Sequence, residues 1–314
     1  VTPALEVSGL SIAFRTPGGR VRALSDASFA VAAGEFLIVV GESGSGKSVL
    51  AHAILRLTPR NAEVQGSARL GATELLDLDE EEMRRRRARS IAFIPQSPAS
   101  SLNPVRRLGP LLSEIARTRG LESEQVAPAL RAALAEVDLD FDALARRYAH
   151  QLSGGMQQRV VNAMALVGEP GLVIADEPTS GLDAELVDAT AAQLGRIAAR
   201  GAAVLVITHD LGLAERLGGR LALLYASYVV ELRRTCDFFA GPAHPYGRGL
   251  LAALPQRGGI PISGLSPELT ALPDHCVFAS RCPERFSPCT SRRPELYPVA
   301  GGGALARCFL HAAG

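Results

Sequence analysis

Between residues 36 and 57 the sequence passes through three textures that few folds can accommodate in that order. Phe36–Val40 is a short continuous apolar run, the pattern of a strand buried on both faces. Gly41-Glu42-Ser43-Gly44-Ser45-Gly46-Lys47-Ser48 follows and fits the phosphate-loop pattern G-x-x-x-x-G-K-[ST]. A helix-like run from Ser48 to Leu57 comes next. In such a context the glycines let successive backbone N–H groups curl around an anion, and the helix N-terminus faces it. Lys47 brings a compact ammonium to the β- and γ-phosphates, and Ser48 a hydroxyl for Mg²⁺. Of 33 Lys and Arg residues, Lys47 is the one lysine. A composition that writes Arg everywhere else keeps Lys where a broad planar fork fits poorly.

Leu172–Ala175 is a second apolar strand and ends in two carboxylates, Asp176 and Glu177. Asp176 is placed to hold the Mg²⁺ shell, and Glu177 to orient or deprotonate an attacking water. Ile91–Ile94 and Ala203–Ile207 are further buried-strand candidates. Leu5–Phe14 and Ala27–Val31 are β-prone around a turn at Pro17-Gly18-Gly19. Residues 108–150 and Asp183–Arg200 have a helical texture. Strands alternating with helices predict an α/β fold with a mostly parallel sheet.

The length of 314 residues allows about two domains at roughly 150 residues each. A net charge of +1 gives no electrostatic reason to expect a nucleic-acid partner. No stretch reaches the ~18 consecutive apolar residues of a membrane-spanning helix. The N-terminal segment, with Glu6, lacks a basic-then-apolar signal pattern. The chain is therefore expected in the cytosol, with any membrane role supplied by partner subunits. From about Asp237 helical periodicity fades, Pro and Gly become frequent, and the five cysteines fall within the last 80 residues. In a reducing compartment such a group reads as a metal site more readily than as disulfides.

Leu152-Ser153-Gly154-Gly155-Met156-Gln157-Gln158-Arg159 resembles the signature sequence of ABC ATPases. Gln96 matches the family's Q-loop glutamine, Ser180-Gly181-Leu182-Asp183 its D-loop and His209 its switch histidine. The resemblance covers residues 1 to about 235. It implies a P-loop NTPase (RecA-like) core in an ATPase domain 1–235, with an ABC α-helical subdomain at about 103–155. It implies ATP and Mg²⁺: Gly41–Ser48, Gln96 and Asp176 on the nucleotide, and Ser48, Gln96 and Asp176 on the metal. Ser153, Gly154 and Gly155 would contact the γ-phosphate held by the opposite subunit, and Glu177, His209 and Gln96 would serve catalysis. The resemblance departs at the aromatic residue that usually stacks on adenine: Val21 stands near that position, and Phe14 is the nearest ring.

Gln96-Ser97-Pro98-Ala99-Ser100-Ser101-Leu102-Asn103-Pro104 looks like the segment after the Q-loop in oligopeptide and dipeptide (peptide/nickel) importers. His244-Pro245-Tyr246 before Leu250-Leu251, and Cys276-Val277-Phe278-Ala279-Ser280-Arg281-Cys282-Pro283, resemble the C-terminal extension of that branch, here 236–314. Ser227 replaces the usual Gly, and Ser180-Gly181 the usual Thr-Ala. The branch implies an ATPase subunit coupling hydrolysis to uptake of di- or oligopeptides, with nickel or metal-chelate cargo as the alternative. It implies a second, often different, ATPase chain, two transmembrane permease subunits and an extracytoplasmic solute-binding protein. It places the chain peripherally on the cytoplasmic face of the cell membrane. A soluble ABC ATPase working on ribosomes, DNA repair or iron–sulfur assembly is the rival; the ribosome kind usually carries paired ATPase domains and the DNA-repair kind long insertions.

Cys276, Cys282, Cys289 and Cys308 are separated by 5, 6 and 18 residues, without a C-x₂-C pair. Wide spacing in a loop-rich segment suits a cubane cluster better than a zinc ribbon. The resemblance implies a four-iron, four-sulfur cluster on these cysteines, with Zn²⁺ as the alternative. Cys236 is expected to be a small buried hydrophobe, His275 a possible substitute ligand, and His52, His150 and His311 structural. Arg84–Arg87 with Arg89 read as a solvated charged face.

Overall fold

The computed structural model describes residues 3–182, 184–299 and 303–312. The chain forms two compact units: residues 1–5, 31–36 and 70–217, and residues 6–30, 37–69 and 218–314.

In the first unit Ile91–Ile94, Leu172–Asp176 and Ala203–Thr208 lie side by side as parallel strands. Ile94 is in register with Ala175, and Asp176 with Ile207. Every residue of the latter two strands is buried, which is why their sequences read as unbroken apolar runs. The helices Gly154–Leu166 and Ala184–Ala199 pack on these strands and on each other. Within the first helix Gln158 Nε2 donates to Asn162 Oδ1 at 2.9 Å, and Asn162 Nδ2 reaches across to Gln193 Oε1 of the second at 2.9 Å. A buried amide chain satisfied in this way fixes how the helices slide against one another. The helical stretch expected at 108–150 divides into Leu108–Thr118, Ser123–Ala135 and Phe141–Leu144. Leu108, Leu112, Val126, Leu130 and Leu134 form its core.

The arginine run lies on the helix Glu80–Arg89, capped by Asp79, which accepts the Glu82 N–H at 2.7 Å. Three acids open this helix and arginines close it, which complements its dipole. Arg84 and Arg85 pair with Glu81 on an exposed face. Among the described residues no helix is long and apolar enough to cross a membrane.

In the second unit the strand order is Ala62–Leu70, Leu5–Thr16, Gly19–Val31, Tyr228–Arg234, Arg220–Tyr225, Phe36–Val40. Leu5–Thr16 and Gly19–Val31 form the expected hairpin. Arg220–Tyr225 and Tyr228–Arg234 form a second one, which the sequence does not announce. Its turn residues, Ala226 and Ser227, have φ of 44° and 74°, the geometry that normally calls for Asn-Gly. Ser227 tolerates it because its hydroxyl donates to the Arg22 carbonyl, while its own carbonyl accepts the Ser25 N–H at 2.8 Å. That is the physical reason a glycine suits the position and a serine can replace it.

The cysteine-bearing tail is woven into this unit. Ala304–Ala306 pairs antiparallel with Tyr228–Arg234, Ala306 opposite Glu231. The helices Thr235–Ala240 and Pro245–Ala252 give the tail more regular structure than its fading periodicity predicts. Glu231 is wholly buried and accepts the Ala243 and His244 N–H groups at 2.8 and 2.9 Å. Glu231→Ala would strand two buried donors, a loss of about 1–3 kcal/mol for each group left unsatisfied. The expected outcome is a lower melting temperature and faster proteolytic cleavage after residue 240. Unchanged melting and cleavage would show that the tail is held by something else.

Candidate active site

Gln96, Asp176–Glu177 and Thr208–His209 all leave the first unit's strands at their C-terminal ends, because neighbouring strands run parallel and in register. That edge is where open parallel sheets bind ligands. Glu177 has φ of 50°, and its N–H donates to the Ile207 carbonyl at 2.8 Å. Its carboxylate, in a residue only 8% exposed, is aimed by three groups of the adjoining strand end. Thr208 Oγ1 donates to Oε2 at 3.2 Å, the His209 N–H to Oε2 at 3.3 Å, and His209 Nδ1 lies 2.8 Å from Oε1. Thr208 Oγ1 also accepts the Asp210 N–H at 3.0 Å, and Asp210 caps the next helix through Gly212 and Leu213. Asp176 is buried beside Glu177, His209 is largely exposed, and Gln96 is exposed two residues beyond its strand.

Ser153 is the N-cap of Gly154–Leu166, its hydroxyl accepting the Met156 N–H at 3.3 Å. Ser153 and Gly154 are exposed, so the free N–H groups of the first turn face outward. Gly155 packs against Leu186, whose methyl would lie 3.0 Å from an added Cβ. In the D-loop segment the Ser180 N–H donates to the Glu177 carbonyl at 3.1 Å. Gly181 has φ of +74°; Asp183 lies outside the described residues.

The phosphate-loop segment belongs to the second unit, and the helix behind it spans Lys47–Ile54. Gly46 caps that helix with φ of 106°. Lys47 is 7% exposed; its Nζ donates to the carbonyls of Gly41 and Glu42 at 2.8 and 3.0 Å. Ser45 is also buried, and its hydroxyl has no hydrogen-bond partner among the described residues. A buried orphan hydroxyl in a glycine loop suits an anion-bound state that supplies the missing bond. Ser43 and Gly44 are exposed, and Ser48 is half-buried at the helix start. Phe14 and Val21 are both half-buried in the first hairpin.

Two side chains at this loop escape a reading by motif. Tyr246, fully buried, accepts the Glu42 N–H at 3.0 Å, and Arg281 grips the Glu42 carboxylate. They lie 204 and 239 residues from Glu42 along the chain, so no spacing rule could pair them.

Cys276, Cys282, Cys289 and Cys308 line one small cavity together with His244 and Phe278. Burial raises the pKa values of the Cys276, Cys282 and Cys308 thiols, that of Cys308 to about 11. His244 is buried; its Nδ1 accepts the Tyr246 N–H at 3.0 Å, and desolvation lowers its pKa to about 3, so it is neutral. Among the described residues no group of three or more His, Cys, Asp or Glu side chains is placed to hold a metal ion. The ligand group expected for a four-iron, four-sulfur cluster, or for zinc as its alternative, is therefore not assembled among the described residues. Cys236 also departs from expectation: it is exposed, its sulfur 3.7 Å from the Asp237 carboxylate.

Comparison with known proteins gives two family matches: ABC transporter over residues 24–180, and oligopeptide/dipeptide transporter, C-terminal region, over residues 230–289. The oligopeptide transport ATP-binding protein OppD of Salmonella typhimurium is 37% identical, across 97% of this chain and 93% of that protein. OppD of Escherichia coli is 38% identical, across 97% and 92%. OppD of Mycobacterium tuberculosis is 39% identical across 96% of this chain, which spans only about half (51%) of that relative's length. The dimeric structure of the ATP-binding cassette MJ0796 with ADP and Pi matches at a TM-score of 0.66 and 25% identity, over 74% of this chain and 98% of that one.

The loop geometry makes Gly46 the most sensitive single position. A Cβ there would lie 2.0 Å from the Ala23 carbonyl oxygen, on a backbone that L side chains avoid. Gly46→Ala should introduce strain of about 1–3 kcal/mol from backbone conformation alone, and the clash adds to it. Thermal unfolding should begin several degrees lower; an unshifted transition would mean that the loop relaxes freely.

Proposed function

This chain belongs to the ABC transporter ATP-binding family, in the branch that carries the oligopeptide/dipeptide transporter C-terminal region, and on that footing we propose that it is the ATP-hydrolysing subunit of an importer of di- and oligopeptides. One observation carries the hydrolytic reading. Glu177 is a buried carboxylate aimed by Thr208 and His209, the support a general base or water-orienting group needs. The peptide branch is supported by similarity to OppD proteins along nearly the whole chain and by the match over residues 230–289.

In this reading the ATPase domain comprises residues 1–235, with its helical subdomain at about 103–155, and the extension residues 236–314. Gly41–Ser48 cradle the phosphates. Lys47 exchanges the loop carbonyls it holds for β- and γ-phosphate oxygens, and Ser45 gains an acceptor. Ser48, Asp176 and Gln96 would hold Mg²⁺, which when bound neutralises charge on the phosphate oxygens. Glu177 Oε2 and Oε1 orient the attacking water and take its proton, while His209 holds the carboxylate in place. Ser153, Gly154 and Gly155 present a helix N-terminus to the γ-phosphate bound by a second ATPase chain. Two permease subunits and an extracytoplasmic solute-binding protein complete the importer, and this chain sits peripherally on the cytoplasmic face of the membrane.

The four tail cysteines are assigned a four-iron, four-sulfur cluster. Four thiols around one cavity support it. A cubane spreads its ligands over several ångströms, which suits thiols spaced as widely along the chain as these. When bound it would cross-link the chain segments that carry the four cysteines.

Glu177→Gln should keep ATP binding and reduce phosphate release by the assembled complex roughly 10²- to 10⁴-fold, since the amide cannot accept the water's proton. Turnover within a few fold of native would remove Glu177 from this role. Protein purified without oxygen should be brown, with about four irons and four sulfides per chain. Colourless anaerobic protein, or protein holding one zinc, would refute the cluster.

A further inference from the structure

The contacts of Glu42 tie the phosphate loop to the far end of the chain. Arg281 Nη1 donates to Glu42 Oε1 and Oε2 at 3.0 and 3.1 Å and to Ser266 Oγ at 3.0 Å. The Ser266 hydroxyl in turn donates to Glu42 Oε2 at 2.6 Å. The guanidinium is held from behind: Nε donates to the Ser263 carbonyl at 3.2 Å and Nη2 to that of Ile262 at 3.3 Å. Its charged carbon lies 5.7 Å from the centre of the Tyr225 ring. The Arg281 side chain is only 6% exposed and the Glu42 side chain 32%. An exposed ion pair contributes little, but a fork this enclosed and this fully bonded defines where its carboxylate stands.

The turn that carries Arg281 is itself fixed. The Ala279 N–H donates to the Cys276 carbonyl and the Arg281 N–H to the Phe278 carbonyl, both at 3.0 Å. Phe278 packs edge-on to Tyr225 at 5.2 Å and against Tyr246 at 5.5 Å. Tyr246 takes the Glu42 N–H. Glu42 is thus held at both its backbone and its carboxylate by one buried cluster of tail residues.

Glu42 is also an anomaly in charge. It puts a carboxylate into a loop whose task is to hold polyphosphate, and at effective protein dielectrics two like charges several ångströms apart repel appreciably. We propose that Arg281 is a positioning residue of the nucleotide site: it neutralises Glu42 and holds the phosphate loop in its binding shape, so that the C-terminal extension is part of the ATP site. This rests on the reading of Gly41–Ser48 as an ATP site. By linkage, whatever the tail adds to ATP binding, ATP adds to the order of the tail.

The test measures MgATP binding to the full-length chain and its variants, with melting curves to confirm folding. Arg281→Gln should weaken ATP binding roughly tenfold, because the Glu42 charge is left uncompensated. Adding Glu42→Gln to that variant should recover most of the loss, a rescue that a purely structural role for Arg281 would not give. In the native chain, saturating MgATP should slow amide hydrogen exchange at Ala279 and Arg281; this measurement decides the matter if Arg281→Gln does not fold. A folded Arg281→Gln chain with native affinity, a double variant no better than the single one, or tail exchange indifferent to ATP would each overturn the proposal. Failure of the native chain to bind ATP would instead overturn the nucleotide reading, and this inference with it.

Discussion

A Cβ on Gly41 would lie 2.1 Å from the Leu224 carbonyl oxygen, and one on Gly46 2.0 Å from that of Ala23. At both points the phosphate-loop backbone is pressed onto a neighbouring strand, with no room for any side chain. The approach fixes the loop between the first hairpin and the strand Arg220–Tyr225. It also places the loop beside the Ala226-Ser227 turn, whose Ser227 N–H donates to the Ser45 carbonyl at 3.3 Å. Lys47, Ser45 and the Lys47–Ile54 helix inherit their positions from this contact.

The tail joins a buried aromatic cluster around Phe238, Tyr246 and Phe278 to buried polar groups that bind several partners each. Glu231 is wholly buried yet accepts two backbone N–H groups. Arg307, also buried, donates to the carbonyls of Val229 and Pro294 and reaches Asp26. Arg281 does the same at Glu42. Each is a planar or forked group able to satisfy several partners at once, which is how a Pro- and Gly-rich segment achieves order without long helices. The arginine-only composition is consistent with that use. At Lys47, by contrast, one compact ammonium sits between two loop carbonyls.

The legible parts of the sequence were those whose pattern is local. Leu172–Asp176 and Ala203–Thr208 are buried at every residue, so their apolar runs stand out. The second hairpin was not legible, because Leu221–Leu232 is an almost unbroken apolar stretch and its turn is made by Ala226 and Ser227 rather than Asn or Gly. The tail's helices were hidden for another reason: Thr235–Ala240 and Pro245–Ala252 are too short for a periodicity to show. Cys236 is exposed where burial is expected, because a small thiol carries no information about which face of a short helix it occupies.

The phosphate-loop pattern of Gly41–Ser48, the carboxylate pair at the end of Leu172–Asp176 and the helix start after Ser153 can be read along the chain, since each lies within one strand end or one turn. Only the tertiary structure decided that His209 and Thr208 aim Glu177, because that depends on which strand lies beside which. It likewise decided that four cysteines share a cavity and that Arg281 reaches Glu42 across 239 residues. A spacing rule describes neighbours along a backbone of fixed geometry. Contacts between distant segments are set by strand order and by the buried groups that must find partners once that order exists.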